Sequence, residues 1–139
     1  LMGLVKDPDQ YRCGIALAAV SDPRHMYEFT WNDIGSLGKT ISLPLMLGDP
    51  KADEAMLVAA SPLVHAERIK APLMIVHGGR DRRVPIQNGE RMRDALVKLG
   101  KPVEWVLYEE EYHGFADKKN ELDFWRRVEA FLGKHLLGP

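Results

Sequence analysis

The chain has 139 residues, which is enough for one domain with a modest hydrophobic core. Its net charge of −1 gives no reason to expect nucleic acid or a membrane as a partner, and no apolar run approaches the roughly 20 residues that span a bilayer. The single cysteine, Cys13, excludes an intrachain disulfide and a cysteine-rich metal site, and it leaves the compartment open, with the cytoplasm favoured. No metal or cofactor is expected, because no metal-ligand spacing occurs.

Apolar runs between turn residues are typical of buried strands, and apolar residues that recur every three or four positions are typical of helices. Strands that alternate with helices imply an α/β fold, here with three parallel strands flanked by helices. In chain order, the sequence predicts the end of a helix at 1–5, a strand at 14–20, irregular chain with short helices at 24–70, a strand at 73–77, a helix at 86–99, a strand at 103–108 and a helix at 121–136.

Two helix starts are predicted from capping residues. Asp49, followed by Pro50, predicts a helix that begins there and ends at Ser61. Asn120, with Asp123 three residues further on, predicts the cap of the last helix. The predicted apolar face of that last helix consists of Leu122, Trp125, Val128, Phe131 and Leu132.

The candidate catalytic residues follow two neighbouring strands. Asp81 comes after the carboxyl end of the second strand, where open α/β sheets place their ligands and catalytic groups. His113 has the corresponding position after the third strand, and a single crossover helix should bring both loops to the same edge of the sheet. An acid followed by a histidine is the order found in α/β-hydrolase triads, where the acid fixes the tautomer of a general base. We therefore expect Asp81 and His113 to approach each other, within reach of a carboxylate-to-imidazole hydrogen bond.

Other candidate residues have simpler interpretations. His77, at the end of the second strand, is interpreted as structural, and the acidic run from Glu109 to Glu111 as a solvated loop. A nucleophile is missing from the sequence. The nearest approach to the G-x-S-x-G elbow is centred on Ser36, where Ile34 replaces the first glycine and no strong strand precedes it.

Two motifs contain the candidate pair: HGGRDRRVP at residues 77–85 and EEEYHGF at residues 109–115. They resemble the catalytic domain of the prolyl oligopeptidase family of serine peptidases, especially its dipeptidyl aminopeptidases and acylaminoacyl peptidases. The resemblance implies that Asp81 is the triad aspartate and His113 the triad base. It also implies that Arg83 contacts a carbonyl group of the substrate.

The resemblance extends to what surrounds this chain. In the family, the nucleophile elbow lies just upstream of a stretch similar to LMGLVKDP, with which this sequence begins. Residues 1–139 are therefore expected to form the C-terminal half of a catalytic domain, with a partial α/β-hydrolase fold. The complete enzyme is expected to hydrolyse short peptides with a Ser-Asp-His triad, whereas this chain, without the serine and the oxyanion hole, is expected to be inactive.

Two other functions remain open on the residues alone. An esterase, or an enzyme similar to dienelactone hydrolase, would share the acid and the histidine. A non-catalytic α/β module would instead bind a partner through the edge of its sheet. In this chain, the edge strand from Cys13 to Val20 is apolar and has unpaired backbone groups, so we expect a homo-oligomer that forms through it.

Overall fold

The fold is described from a computed structural model, which covers residues 1–28 and 33–137. Three strands form one parallel sheet in the order β1-β2-β3, so β2 lies in the centre. The strands are β1 (Gly14–Leu17), β2 (Leu73–Gly78) and β3 (Val103–Tyr108). The predicted arrangement of three parallel strands is thereby confirmed.

Helices and helical turns precede, connect and follow these strands. Within the described part of the chain, none of them has the length and apolarity needed to cross a membrane. In chain order they are α1 (Met2–Lys6), α2 (His25–Glu28), a π-helical turn (Gly38–Ser42), α3 (Leu43–Leu47), α4 (Glu54–Ala59), a 3₁₀ turn (Ala66–Arg68), α5 (Gln87–Lys98), α6 (Lys118–Leu132) and a second π-helical turn (Gly133–Leu137).

The sheet separates two hydrophobic clusters, because successive side chains of a strand point to opposite faces. Leu73 and Ile75 of β2 belong to one cluster, together with residues of α1 and α5. Met74 and Val76 belong to the other cluster, together with residues of β3 and α6. All residues of β2 are buried, as expected of a central parallel strand, and this explains why its sequence is apolar from Leu73 to Val76.

β1 is shorter than predicted. Its pairing with β2 ends at Leu17, whereas the prediction extended the strand to Val20. Ala18 has a φ of 47°, in the left-handed region, so the chain leaves its extended path there. The sequence remains apolar beyond Leu17 because Ala18 is still buried, although Ala18 no longer belongs to the strand.

α4 begins later than predicted. Oδ1 of Asp49 accepts hydrogen bonds from the amides of Lys51 and Ala52, each at 2.8 Å, so Asp49 closes a turn instead of capping the helix. The helix begins at Glu54. Aspartate is common both in turns and at helix starts, and the sequence alone does not separate the two uses here.

α6 begins earlier than predicted, and its cap is Asp117, not Asn120. The carboxylate of Asp117 accepts a hydrogen bond from the amide of Lys119 at 2.8 Å. The predicted apolar face is also partly wrong, since Leu122 and Trp125 are 52% and 57% exposed. The residues of α6 that pack on the sheet are spaced by four and three positions: Phe124, Val128 and Phe131.

The association predicted from the sequence stays a prediction, and the sheet provides a way to test it. The backbone amides of Gly14 and Ala18 donate hydrogen bonds on the β2 side of β1. Because the amides of a strand point alternately to its two sides, the amide of Ala16 also faces β2, whereas the amide of Leu17 faces the opposite edge. No other described strand pairs with that edge.

We expect Leu17→Pro to weaken self-association of the chain and to preserve the sheet, whereas Ala16→Pro disrupts the sheet. Sedimentation velocity at micromolar concentration and circular dichroism measure the two effects, and a monomeric wild-type chain would contradict the prediction.

Candidate active site

Asp81 lies in a tight turn after β2 and is only 1% exposed. Its Oδ1 accepts hydrogen bonds from the amides of Arg83 and Val84 at 2.8 and 2.9 Å. Its own amide donates to the carbonyl oxygen of Gly78 at 3.2 Å. The turn therefore fixes the orientation of the carboxylate and leaves Oδ2 for a partner outside the turn.

That partner is His113, in the loop after β3. Its Nδ1 lies 2.9 Å from Oδ2 of Asp81, so the approach expected from the sequence is present as a hydrogen bond. A carboxylate only accepts hydrogen bonds, so Nδ1 carries the proton and Nε2 of a neutral imidazole is left able to accept one. The side chain of His113 is 37% exposed and that of Asp81 is fully buried. A buried carboxylate thus orients an accessible imidazole, which is a geometry suited to general-base catalysis.

Two glycines at the end of β2 allow the loop of His113 to lie against the turn of Asp81. A Cβ atom on Gly78 would overlap the carbonyl oxygen of Tyr112, and a Cβ atom on Gly79 would overlap that of Glu109. Gly79 N donates a hydrogen bond to the carbonyl oxygen of Tyr108 at 2.8 Å, which joins the two segments. Because the obstructing atoms belong to the backbone, no rotamer change relieves the overlap, and glycine is needed here for space.

Glu111 closes the loop that carries His113. Its carboxylate accepts hydrogen bonds from the amides of Ala116 and Asp117 at 2.7 and 3.0 Å, and from the side-chain amide of Asn120 at 2.8 Å. These donors follow His113 in the chain, whereas Glu111 precedes it. The three hydrogen bonds therefore tie the two ends of the loop together around the histidine.

The interpretation of residues 109–111 as a solvated loop is wrong for Glu111, which is 2% exposed. Glu109 and Glu110 are exposed as expected, and Glu110 forms an ion pair with Arg80. Burial by itself raises the pKa of Glu111, but its three hydrogen bonds have the larger combined effect, and the pKa lies below its ordinary value. Glu111 is therefore a charged residue with a structural role beside the candidate base.

An apolar pocket of about 470 Å³ opens beside His113. Its lining combines residues from the loop after β1, α2, the helical segment around α3 and the turn of Asp81, and it includes Met26, Leu43 and Met46. Arg83 also lines the pocket and is exposed, so the structure brings this residue to the same cavity as His113. Sequence reasoning missed the pocket because its walls come from segments that are far apart in the chain.

No serine is among the described residues that line this pocket. Ser21 and Ser61 are buried and hold loops together: Ser21 Oγ donates to the carbonyl oxygen of Asn88 at 2.7 Å, and Ser61 Oγ donates to that of Ser21 at 3.3 Å. Ser36 lies in a helical turn, not between a strand and a helix. Across residues 1–28 and 33–137, no group of three or more His, Cys, Asp or Glu side chains is arranged to hold a metal ion.

Comparison with known proteins identifies the family. The model of the prolyl oligopeptidase family matches residues 1–138. The chain belongs to this family. It is 32% identical over 140 residues to dipeptidyl aminopeptidase BIII of Pseudoxanthomonas mexicana and 30% identical over 144 residues to dipeptidyl peptidase family member 6 of Caenorhabditis elegans. Each alignment covers 99% of this chain but only 20% and 19% of the relative, so the chain spans about a fifth of the length of these relatives.

Comparison with a solved structure confirms the fold. The acylaminoacyl peptidase of Pyrococcus horikoshii superimposes with a TM-score of 0.86 at 22% identity, over 98% of this chain and 22% of that chain. The predicted partial α/β-hydrolase fold is therefore correct. Within this family fold, Asp81 and His113 occupy the carboxyl ends of neighbouring parallel strands, beside the apolar pocket.

We predict that Glu111→Gln destabilises the protein by about 1–3 kcal/mol at neutral pH, because a buried hydrogen-bond acceptor is replaced by a donor. Since the folded pKa of Glu111 is lowered, its stabilisation is present above the unfolded pKa of about 4.3 and is lost as pH falls through the folded pKa. The difference between wild type and variant should therefore shrink in acid. Urea unfolding at pH 7 and at low pH measures this difference.

The matched control for this prediction is Glu110→Gln. Glu110 is the preceding residue, has the same side chain and is exposed. Its removal should change the free energy of unfolding by no more than about 0.5 kcal/mol. Equal effects of the two substitutions would show that Glu111 does not support the loop.

Proposed function

We propose that the complete protein containing this chain is a serine peptidase in which Asp81 is the triad acid and His113 is the triad base. The observation that carries the proposal is the hydrogen bond of 2.9 Å between Oδ2 of Asp81 and Nδ1 of His113. Membership of the prolyl oligopeptidase family supports the reaction class. The location of the pair, after two adjacent parallel strands, supports the roles of the two residues.

In the proposed reaction, Nε2 of His113 accepts the proton of a serine hydroxyl while the serine oxygen attacks the carbonyl carbon of the peptide bond. The same nitrogen then gives that proton to the leaving amine, and an acyl-enzyme forms. A water molecule, activated by His113, releases the acid product and regenerates the serine. Asp81 keeps the proton of the neutral imidazole on Nδ1 and stabilises the imidazolium that forms at each step.

The proposed division of the site assigns the serine and the oxyanion hole to a part of the protein that precedes residue 1. This chain then supplies the C-terminal half of the catalytic domain. That it spans only about a fifth of the length of its relatives supports a larger complete protein. By itself, the 139-residue chain is expected to be inactive. Loss of the triad serine leaves only weak residual catalysis even where the oxyanion hole is intact.

The apolar pocket beside His113 supports a preference for peptides with a large apolar side chain next to the bond that is cleaved. Met26 and Met46 in its lining favour adaptable packing, because methionine side chains are flexible and polarisable. Arg83 lines the same pocket and is proposed to donate a hydrogen bond to a substrate carbonyl group. Its guanidinium presents several donors to an oxygen acceptor.

We predict that Asp81→Asn lowers kcat of the complete enzyme by about 10⁴-fold, because the asparagine favours the wrong tautomer, and that His113→Ala lowers it by about 10⁶-fold, because the alanine removes the base. Initial rates are measured on dipeptide p-nitroanilides with alanine or phenylalanine next to the amide, and on the matching esters. They give the loss of kcat in each variant and the preference for the larger apolar side chain. Amide hydrolysis at the wild-type rate by either variant would refute the roles. Hydrolysis of esters alone would favour the esterase, and no hydrolysis of either would favour a non-catalytic module.

The division of the site has a separate test. A fluorophosphonate probe should label the complete enzyme at one serine, because such probes react with activated serine nucleophiles. The 139-residue chain should remain unlabelled under the same conditions, as determined by intact mass. Labelling of the chain would locate a nucleophile within it and would contradict the proposed division.

We further predict that Arg83→Ala raises KM of the complete enzyme by about 10- to 150-fold, since a charge-assisted hydrogen bond contributes about 1.5–3 kcal/mol, and leaves kcat little changed. Arg82→Ala is the matched control: Arg82 is the adjacent exposed arginine and is not among the residues that line the pocket. Equal KM values for the two variants would contradict the assigned role of Arg83.

A further inference from the structure

A second histidine lies behind the candidate acid. His77, the fifth residue of β2, is fully buried and is not accessible from the pocket. Its Nε2 lies 2.8 Å from the carbonyl oxygen of Val84 and 3.7 Å from Oδ2 of Asp81. Asp81 therefore has an imidazole on each side. The ring of His113 is accessible and hydrogen-bonded to the carboxylate, whereas the ring of His77 is buried and lies slightly beyond hydrogen-bond distance.

The surroundings of His77 determine its tautomer. A carbonyl oxygen only accepts hydrogen bonds, so Nε2 of His77 carries a proton that it donates to Val84. On the other side of the ring, Nδ1 is buried and has no hydrogen-bond partner among the described residues. A proton on Nδ1 would be buried without an acceptor, which is costly. The neutral ring with hydrogen on Nε2 is the form that fits.

Gly89 on α5 provides the space that this ring occupies. A Cβ atom on Gly89 would lie 2.8 Å from Nδ1 of His77 and 2.8 Å from the ring of Trp105. Both contacts are closer than ordinary packing, so an alanine at this position would press on the imidazole. The position of His77 is thus set by packing from α5 as well as by its hydrogen bond.

The carbonyl and amide groups of Val84 connect His77 to the acid. The carbonyl oxygen accepts the proton of His77, and the amide donates to Oδ1 of Asp81 at 2.9 Å. His77 thereby holds the end of the turn whose amides orient Asp81. The N–H of His77 also lies on the Oδ2 side of the carboxylate, where a donor favours the negative charge.

We propose that His77 is a positioning residue for the catalytic acid: locked as the Nε2–H tautomer, it anchors the turn of Asp81 so that Oδ2 faces His113. The role rests on the proposed function, because it acts through the Asp81–His113 pair. It also requires that His77 stay neutral, since a charged ring would attract the carboxylate and compete with His113 for it.

The charged and titratable groups that act on His77 are Asp81, His113 and Glu90. Burial lowers the pKa of His77, and this effect exceeds the rise caused by the Val84 carbonyl and by the carboxylates of Asp81 and Glu90. The lowered pKa favours a neutral His77 at neutral pH.

Kinetics of the complete enzyme test the role. His77→Leu, which removes the donor and keeps an apolar side chain, should lower kcat by about 10²-fold through misplacement of the acid. KM should change little, since His77 does not reach the pocket. His77→Gln restores a donor and should recover most of the activity. Wild-type kcat in His77→Leu, or equal losses in the leucine and glutamine variants, would overturn the proposal.

A substitution that leaves His77 itself intact provides a second test. Gly89→Ala should lower kcat in the same direction as His77→Leu, because the new methyl group displaces the ring. Gly133→Ala is the matched control, since no atom lies within 4 Å of its added Cβ. Equal, wild-type kcat values for the two alanine variants would contradict the proposed position of His77.

Nitrogen NMR on the ¹⁵N-histidine-labelled 139-residue chain separates this proposal from the proposed function. The chain has five histidines, and His77→Gln assigns one ring by loss of its signals. That ring should show the Nε2–H tautomer and should be neutral at neutral pH. The Nδ1–H signal of His113 should persist in His77→Gln and disappear in His77→Leu. An Nδ1–H tautomer, or a His77 ring that is charged at neutral pH, overturns the role of His77, whereas an inactive complete enzyme with these NMR results overturns only the proposed function.

Discussion

The carboxylate of Asp81 accepts hydrogen bonds from two separate loops, and the rest of the site depends on both. Oδ1 is bound by backbone amides of its own turn, and Oδ2 is bound by His113, which is more than thirty residues away in the chain. A carboxylate that is 1% exposed is costly to bury unless its oxygens have donors. When the loop of His113 docks, it supplies the hydrogen-bond donor for Oδ2, so that both oxygens of the buried carboxylate have donors from the protein. The two loops are coupled through this requirement.

Space and charge both contribute to that docking. Gly78 and Gly79 remove the side chains that would keep the two loops apart, and Glu111 replaces water with three hydrogen bonds inside the loop of His113. Asp81 and Glu111 are both buried acids, yet their partners give them different roles. The donors to Glu111 come from its own loop and the first turns of α6, so it shapes the backbone. Asp81 accepts the hydrogen bond from Nδ1 of His113 and so orients a side chain of another loop.

The sequence predicts those parts of the structure that depend on local patterns. β2 and β3 follow from apolar runs, and the meeting of Asp81 and His113 follows from the rules of parallel sheets. The errors occur where tertiary contacts decide. Nothing in three consecutive glutamates indicates that only Glu111 is buried, and the pocket combines segments whose proximity no local pattern reveals. The early end of β1 depends on the backbone angle of a single alanine, Ala18, a residue type that rarely adopts it.

The register of the sheet also has a consequence for the order in which the protein folds. Leu73 pairs with Val103 on one side and with Gly14 on the other, and the second pairing closes a loop nearly twice as long as the first. Doubling the length of a loop adds about 0.6 kcal/mol to the entropy cost of closing it. We therefore expect β2 and β3 to associate before β1 joins, which pulsed hydrogen exchange during refolding would detect as earlier protection of their amides. Asp81 and His113 both belong to this faster-forming half, so their loops can meet while the first strand is still unfolded.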